Sequence, residues 1–254
     1  MLSREYYIGT IDHLRRELDK LPLVKYGRHG AKTVVRVYRD DHKQFSEYSM
    51  QSDEWKRYSA VADERHRIAQ AIDKLDSQLE IEWNTRYAKE KGRYMISRDV
   101  SHRFGREFWQ SIPDEQTSYK KVTEYRLGSV NFRSRAELLI AEVLSGMGLE
   151  FRYDVKIRAN GRTYYVDFVI WLPQFGCCIL IEFLGMLNKP DYLRENTAKM
   201  YDYLADGIYV GRDMVVLCGD ESYMPGPELI KEQVSAVIDT VARMHVRARF
   251  DPFN

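Results

Sequence analysis

Three acids, Glu137, Asp167 and Glu182, lie where the surrounding residues would not choose a carboxylate. Asp167 interrupts the run TYYVDFVI and Glu182 the still more apolar CCILIEF, both of the β-branched and aromatic type that forms strands. Side-chain alternation along a strand puts Asp167 on one face with Tyr165 and Val169. A buried carboxylate without a partner is costly, so two of them on adjacent strands imply a shared cation: a metal ion, a lysine or an arginine. A hard divalent ion takes carboxylate oxygens, and two anions on one rigid sheet can hold it while leaving positions for water and a phosphate. The plainer alternatives are exposure at a strand edge and a structural ion pair.

Glu137 has its own rival explanation. Ser134-Arg135-Ala136-Glu137 fits a capping box, in which the glutamate three residues after the cap bonds back to the cap residue's N–H. Arg133 and Arg135 flank the start of that helix. They are surface charges on the simplest reading, although a helix N-terminus carrying two arginines also suits a phosphate.

The elements that must position these groups are legible from residue 134 onward. Leu139, Ile140, Val143, Leu144 and Met147 trace one helix face, and Gly146 and Gly148 close it. FRYDVKI and TYYVDFVI flank Asn160-Gly161, a strong hairpin signal because both central residues of a type I′ turn need positive φ. CCILIEF supplies a third strand, Lys189–Leu204 a helix, DMVVLC a fourth strand and Glu228–Met244 a closing helix. The order is α, β, β, β, α, β, with the last helix appended.

Upstream, Tyr7, Ile11, Leu14, Leu18 and Leu21 mark a first helix that Pro22 stops. Residues 23–48 form a small β-hairpin or meander with a basic set of side chains: Lys25, Arg28, Lys32, Arg36, Arg39 and Lys43. Such a run is a solvated face or a phosphate contact. Residues 52–91 contain neither glycine nor proline, and Val61, Ile68, Ile72, Leu75, Leu79 and Trp83 make a near-heptad stripe interrupted by Arg65. This predicts one helix of about 35 to 40 residues, far longer than the usual 11 to 12. It would pair as a coiled coil with the first helix or with a second copy as a homodimer. A short helix is expected within Ser97–Gln110, and residues 113–130 have the composition of a linker.

The chain of 254 residues is 44% hydrophobic and 30% charged, enough apolar content for a substantial core. Its net charge of +1 creates no global field towards nucleic acid or membrane, so any such affinity must come from local patches. Cys177, Cys178 and Cys218 lack zinc-type spacing and suit reduced thiols. The first residues hold no apolar run of signal-peptide length, and no stretch approaches the roughly 18 apolar residues of a membrane span. The expectation is a cytoplasmic protein without a membrane partner.

The run RSRAELLIAEVL, then VDF, then IEFLG, on this order of elements, resembles the PD-(D/E)xK nuclease superfamily. The resemblance covers about residues 133–217 and implies an α/β protein with a restriction-endonuclease-like αβββαβ core, a mixed sheet flanked by helices. Residues 119–254 would be this nuclease-like domain. Residues 1–118 would be a mainly helical, coiled-coil-like extension carrying the basic hairpin. By resemblance, Asp167 and Glu182 bind Mg²⁺ or Mn²⁺, and Glu137 assists the metal or its water. The family's third-strand motif normally has a lysine two residues after its acid, where this chain has Leu184. Some members supply that lysine from another element, and Lys199, in the helix after the third strand, is the first candidate, with Lys189 second. Tyr192 on the same helix would orient water or simply pack. The implied activity is metal-dependent hydrolysis of phosphodiester bonds, in DNA rather than RNA, with Arg133, Arg135, Arg36 and Arg39 as candidate nucleic-acid contacts. The alternative is a nuclease-like module that has lost turnover and binds nucleic acid or a partner.

Overall fold

A computed structural model describes residues 2–39, 44–113, 124–220 and 222–249. Lys43 and the division after residue 118 lie outside the described residues, as does most of the linker. The chain separates into two compact units, one made of Met1–Tyr6 and Met95–Arg247, the other of Tyr7–Tyr94 and Ala248–Asn254. No described helix is long and apolar enough to cross a membrane.

The second of these units holds helix α1 (Arg4–Lys20, entered from its first turn), strands β1 (Val24–His29), β2 (Lys32–Tyr38) and β3 (Phe45–Ser49), helix α2 (Asp53–Trp83) and the short α3 (Tyr87–Glu90). The three strands form an antiparallel meander in the order β1-β2-β3, as the β-branched composition of TVVRVY suggests. Ser52 caps α2, its side chain accepting from the Trp55 N–H. The helix is 31 residues long and stops earlier than expected. Asn84 adopts a left-handed conformation at φ 50°, and its N–H closes on the Glu80 carbonyl. Asparagine tolerates that conformation, so no glycine is needed to end the helix. Part of the apolar stripe is used by the sheet: Val24, Val35 and Ala62 form a buried cluster with Trp55, Tyr58 and Val61 packed against it. Arg65, which breaks the stripe, has a separate task. Its Nη1 donates to the carbonyls of Leu18 and Leu21 at 2.9 and 2.8 Å, tying α2 to the C-terminal end of α1.

The larger unit contains β4 (Tyr94–Ile96, entered at Met95), α4 (Arg106–Ser111), the two-residue strands β5 (Arg126–Leu127) and β6 (Val130–Asn131), α5 (Arg135–Gly146), β7 (Glu150–Ala159), β8 (Arg162–Leu172), β9 (Cys177–Leu184), α6 (Pro190–Ala205), β10 (Met214–Cys218), α7 (Pro227–His245) and β11 (Val246–Ala248). The helix expected from Ser97 is thus confined to Arg106–Ser111, beginning after Gly105. The main sheet is mixed, in the order β10-β9-β8-β7. β7, β8 and β9 run antiparallel, and β10 lies parallel to β9, which requires the crossover that α6 provides. Val166, Phe168, Val169, Ile170, Ile179, Leu180 and Ile181 are fully buried, as expected of strands covered on both faces. Asn160 and Gly161 have φ of 48° and 76°, matching the tight turn between β7 and β8.

One regularity fails at a telling place. Tyr164 and Val166 pack with the same core cluster as Val169 and Trp171. The alternation therefore does not run through Asp167, and the expected shared face of Tyr165, Asp167 and Val169 is corrected: Tyr165 is exposed while Val169 is buried. On the neighbouring strand Asp154 has φ 55°, and it is missing from the pairing although Tyr153↔Phe168 and Val155↔Val166 bracket it.

Candidate active site

Glu182 and Asp167 sit where β8 and β9 begin to part. The pairing of these strands ends at Phe168↔Ile181, and beyond it the Phe183 N–H donates to Asp167 Oδ2 at 2.7 Å instead of to the strand. Both acids are nearly inaccessible, Asp167 at 7% and Glu182 at 2%. Burial, and then the negative charge of Glu182, raises the Asp167 carboxyl to about 7. Burial also raises Glu182, against the pull of Lys199. Each acid is met by a cation. Lys199, reaching from α6, places Nζ 2.7 and 2.8 Å from the two Glu182 oxygens and donates to the Tyr165 carbonyl at 3.0 Å. Arg133 donates from Nη2 to Asp167 Oδ1 at 2.7 Å. Of the cations that could serve these strands, the chain supplies both a lysine and an arginine.

Glu137 lies on the first turn of α5 and is 7% exposed. Half of the expected capping box is present: the Ser134 hydroxyl accepts from the Glu137 N–H at 3.2 Å. The return bond goes elsewhere. Glu137 Oε2 accepts from the Arg133 N–H at 2.8 Å and from the Tyr153 hydroxyl at 2.6 Å, and Oε1 accepts from Arg133 Nε at 3.3 Å. Arg133 thereby becomes the hub of the acids. Its Nε faces Glu137, its Nη2 faces Asp167, and its Nη1 lies 3.6 Å from Asp154 Oδ1. Burial alone would lower the guanidinium pKa, but the charges around it, Glu137 first, hold it well above its ordinary value. Arg133 is therefore fixed among carboxylates as an ion-pair partner, whereas Arg135 is exposed on the helix start.

Other candidates are placed elsewhere. The Lys189 ammonium lies against Met186 Sδ at 3.6 Å, and the structure brings Lys199 to the acids instead. The Tyr192 hydroxyl accepts from the Gly185 N–H at 3.3 Å and so caps the strand end beside Asp167 and Glu182; burial raises its pKa. Arg36 and Arg39 belong to the β1-β2-β3 meander. Arg36 is occupied by Glu47, at 2.7 Å, and by the Arg28 carbonyl, at 2.9 Å. Arg39 is exposed and donates to Gln44 Oε1 at 3.3 Å.

Three further residues join the site without standing out in the sequence. Tyr203 donates its hydroxyl to Glu182 Oε1 at 2.7 Å, and burial followed by the Glu182 charge raises its pKa. It lies one helical turn after Lys199, so the i, i+4 spacing is the available signal. Tyr153 and Asp154 are hidden in FRYDVKI. Counting back from the Asn160-Gly161 turn, which pairs Ala159 with Arg162, sets Asp154 opposite Asp167.

As a seat for a hard cation, the group has the right donors: Glu137, Asp154, Asp167 and Glu182 offer only carboxylate oxygens, and both Asp154 oxygens are buried without a hydrogen-bond partner. When all four are ionised against Arg133 and Lys199, two negative charges remain, the amount a divalent ion offsets. Among the described residues the one His/Cys/Asp/Glu group whose donor atoms all lie within 4.8 Å of each other is a different one, His102, Cys177 and His245. There the two Nε2 atoms are 2.7 Å apart and the ring centroids 5.0 Å apart with planes at 9°, an in-line hydrogen bond between two imidazoles. Burial lowers both histidines, and the His245 Nδ1 is bonded to the Ser97 carbonyl at 2.9 Å, so the pair is satisfied as neutral rings.

No family model matches this sequence, no curated protein matches it, and no solved structure matches it.

Proposed function

We propose that this protein hydrolyses phosphodiester bonds in nucleic acid, with DNA favoured by the family resemblance, using Mg²⁺ or Mn²⁺ held by Asp167 and Glu182 on a restriction-endonuclease-like core. The observation that carries this reading is Lys199: a lysine from α6 contacts both oxygens of the third-strand acid, although the usual lysine position is Leu184. A bound divalent ion would polarise the phosphate and lower the pKa of its water. Around it, Glu137 would accept a proton or orient water, and Lys199 would stabilise negative charge developing on phosphate oxygen. Tyr203 holds the Glu182 carboxylate in place for Lys199 by its own hydrogen bond. Phe168 and Ile181, paired where the two strands begin to part, are fully buried next to the acids.

A second reading, a nucleic-acid-binding module without turnover, is favoured by Leu184 and by the way Arg133 and Lys199 already occupy the acids. Nicking of supercoiled plasmid separates the two. Parent protein should nick in Mn²⁺ or Mg²⁺ and not in EDTA, whereas Asp167→Ala and Glu182→Ala should lose the activity and keep their circular dichroism. A parent that binds DNA and never cuts it with either ion would establish the second reading.

A further inference from the structure

Asp154 is the least comfortable side chain in the described protein. Its carboxylate has no exposed surface, neither oxygen has a hydrogen-bond partner, and the guanidinium that faces it, through Arg133 Nη1, is 3.6 Å away. Its backbone is also in the left-handed region, at φ 55°, inside a strand whose other residues are extended. A buried carboxylate without a hydrogen-bond partner is destabilising, and an aspartate held at positive φ adds strain. Such costs persist where the surroundings impose them for another purpose. The left-handed turn aims this carboxylate at the guanidinium that Glu137 and Asp167 also face, in place of the regular pairing that the hairpin register would give it.

We propose that Asp154 is a further carboxylate ligand of the divalent ion and that Arg133 is that ion's built-in substitute, bridging Glu137, Asp154 and Asp167 until the ion displaces it. This rests on the functional reading above, since it concerns the same ion. Three features favour displacement. The Arg133 side chain is 34% exposed, so it has a route to solvent that the acids lack. Its approach to Asp154 is long, so its departure from there costs little. And a compact divalent charge can satisfy several carboxylates at once, which a planar guanidinium does unevenly, at 2.7, 3.3 and 3.6 Å.

The test is Mn²⁺ binding to the full chain by calorimetry, with melting temperature in EDTA and in Mn²⁺ as a second readout. Asp154→Asn is the informative variant because asparagine also accepts left-handed φ, so the backbone can stay while the ligand charge is removed. It should weaken Mn²⁺ binding at least about tenfold, as loss of a group that holds a metal typically does, and should melt no lower than the parent in EDTA. Arg133→Gln should melt lower in EDTA, bind Mn²⁺ more tightly than the parent, and regain more of its melting temperature on adding Mn²⁺. Unchanged Mn²⁺ affinity in Asp154→Asn overturns the proposal, as does weaker binding in Arg133→Gln. Asp167→Asn distinguishes the two levels. If it loses Mn²⁺ while Asp154→Asn does not, only the role of Asp154 fails; a parent that binds no Mn²⁺ removes the ion site altogether.

Discussion

Asp167 and Lys199 make the sharpest claims at the scale of single residues. The folded-state pKa of Asp167, about 7, lies above the ordinary carboxylate value, because burial and Glu182 both disfavour its charge. Between those two values the folded protein keeps a proton that the unfolded chain has released. Stability therefore falls as pH rises through this window, and the cost is complete above it. In ion-free protein, Asp167→Asn should flatten the fall in unfolding free energy between about pH 4 and pH 7, measured by urea titration. Mn²⁺ should also bind more weakly below about pH 7, since a ligand must lose its proton first. Lys199→Ala should slow nicking by roughly ten- to a thousandfold, the range that electrostatic and acid–base groups supply. An unaltered rate would assign Lys199 to structure alone.

At the scale of elements, α6 matters because it carries Lys199 and Tyr203 to a strand acid that local sequence does not reach. Asp202, on the same helix, fastens α6 to the β7–β8 turn. It accepts from Asn160 Nδ2 at 2.8 Å, from Arg162 Nη1 at 3.1 Å and from the Tyr164 hydroxyl. Asp202→Ala should leave Mn²⁺ affinity near that of the parent and lower the nicking rate by about a hundredfold, the cost of misplacing a reacting group by about 1 Å. Asp202→Asn, which can still accept from Tyr164, should recover part of the loss. Equal loss of Mn²⁺ affinity in both variants would mean that α6 supports the fold and not Lys199 in particular.

For the molecule as a whole, the near-neutral charge puts any affinity for nucleic acid in local patches. In the meander, Arg36 is committed to Glu47 and the Arg28 carbonyl, so the better candidates there are Arg28 and Lys32, both exposed. Replacing both with alanine should reduce the salt slope of DNA binding by roughly two, at about 0.9 for each phosphate no longer neutralised. A slope equal to the parent's would take the meander out of the interface and leave its charge as a solvated face.

Periodicity alone determined the order of helices and strands from residue 134 to the closing helix, because the elements there have apolar patterns bounded by turn residues; the three-residue β11 after that helix was too short to leave such a pattern. The same patterns singled out Glu137, Asp167 and Glu182, since an acid in an apolar strand or at a helix start stands out without knowledge of its neighbours. The end of α2 was not legible, because Asn84 stops the helix in a conformation usually signalled by glycine. What only the tertiary structure decided was the pairing of charges. Whether Arg133 faced solvent or the acids, and whether Lys189 or Lys199 reached Glu182, depended on how α5 and α6 settle against the sheet. Asp154 lay between these cases: the Asn160-Gly161 turn implied its position opposite Asp167, but a left-handed φ that breaks strand alternation leaves no trace in a pattern of apolar and polar residues. Such pairings join residues far apart in sequence, and their energies depend on distance and burial, quantities that exist only once the chain has folded.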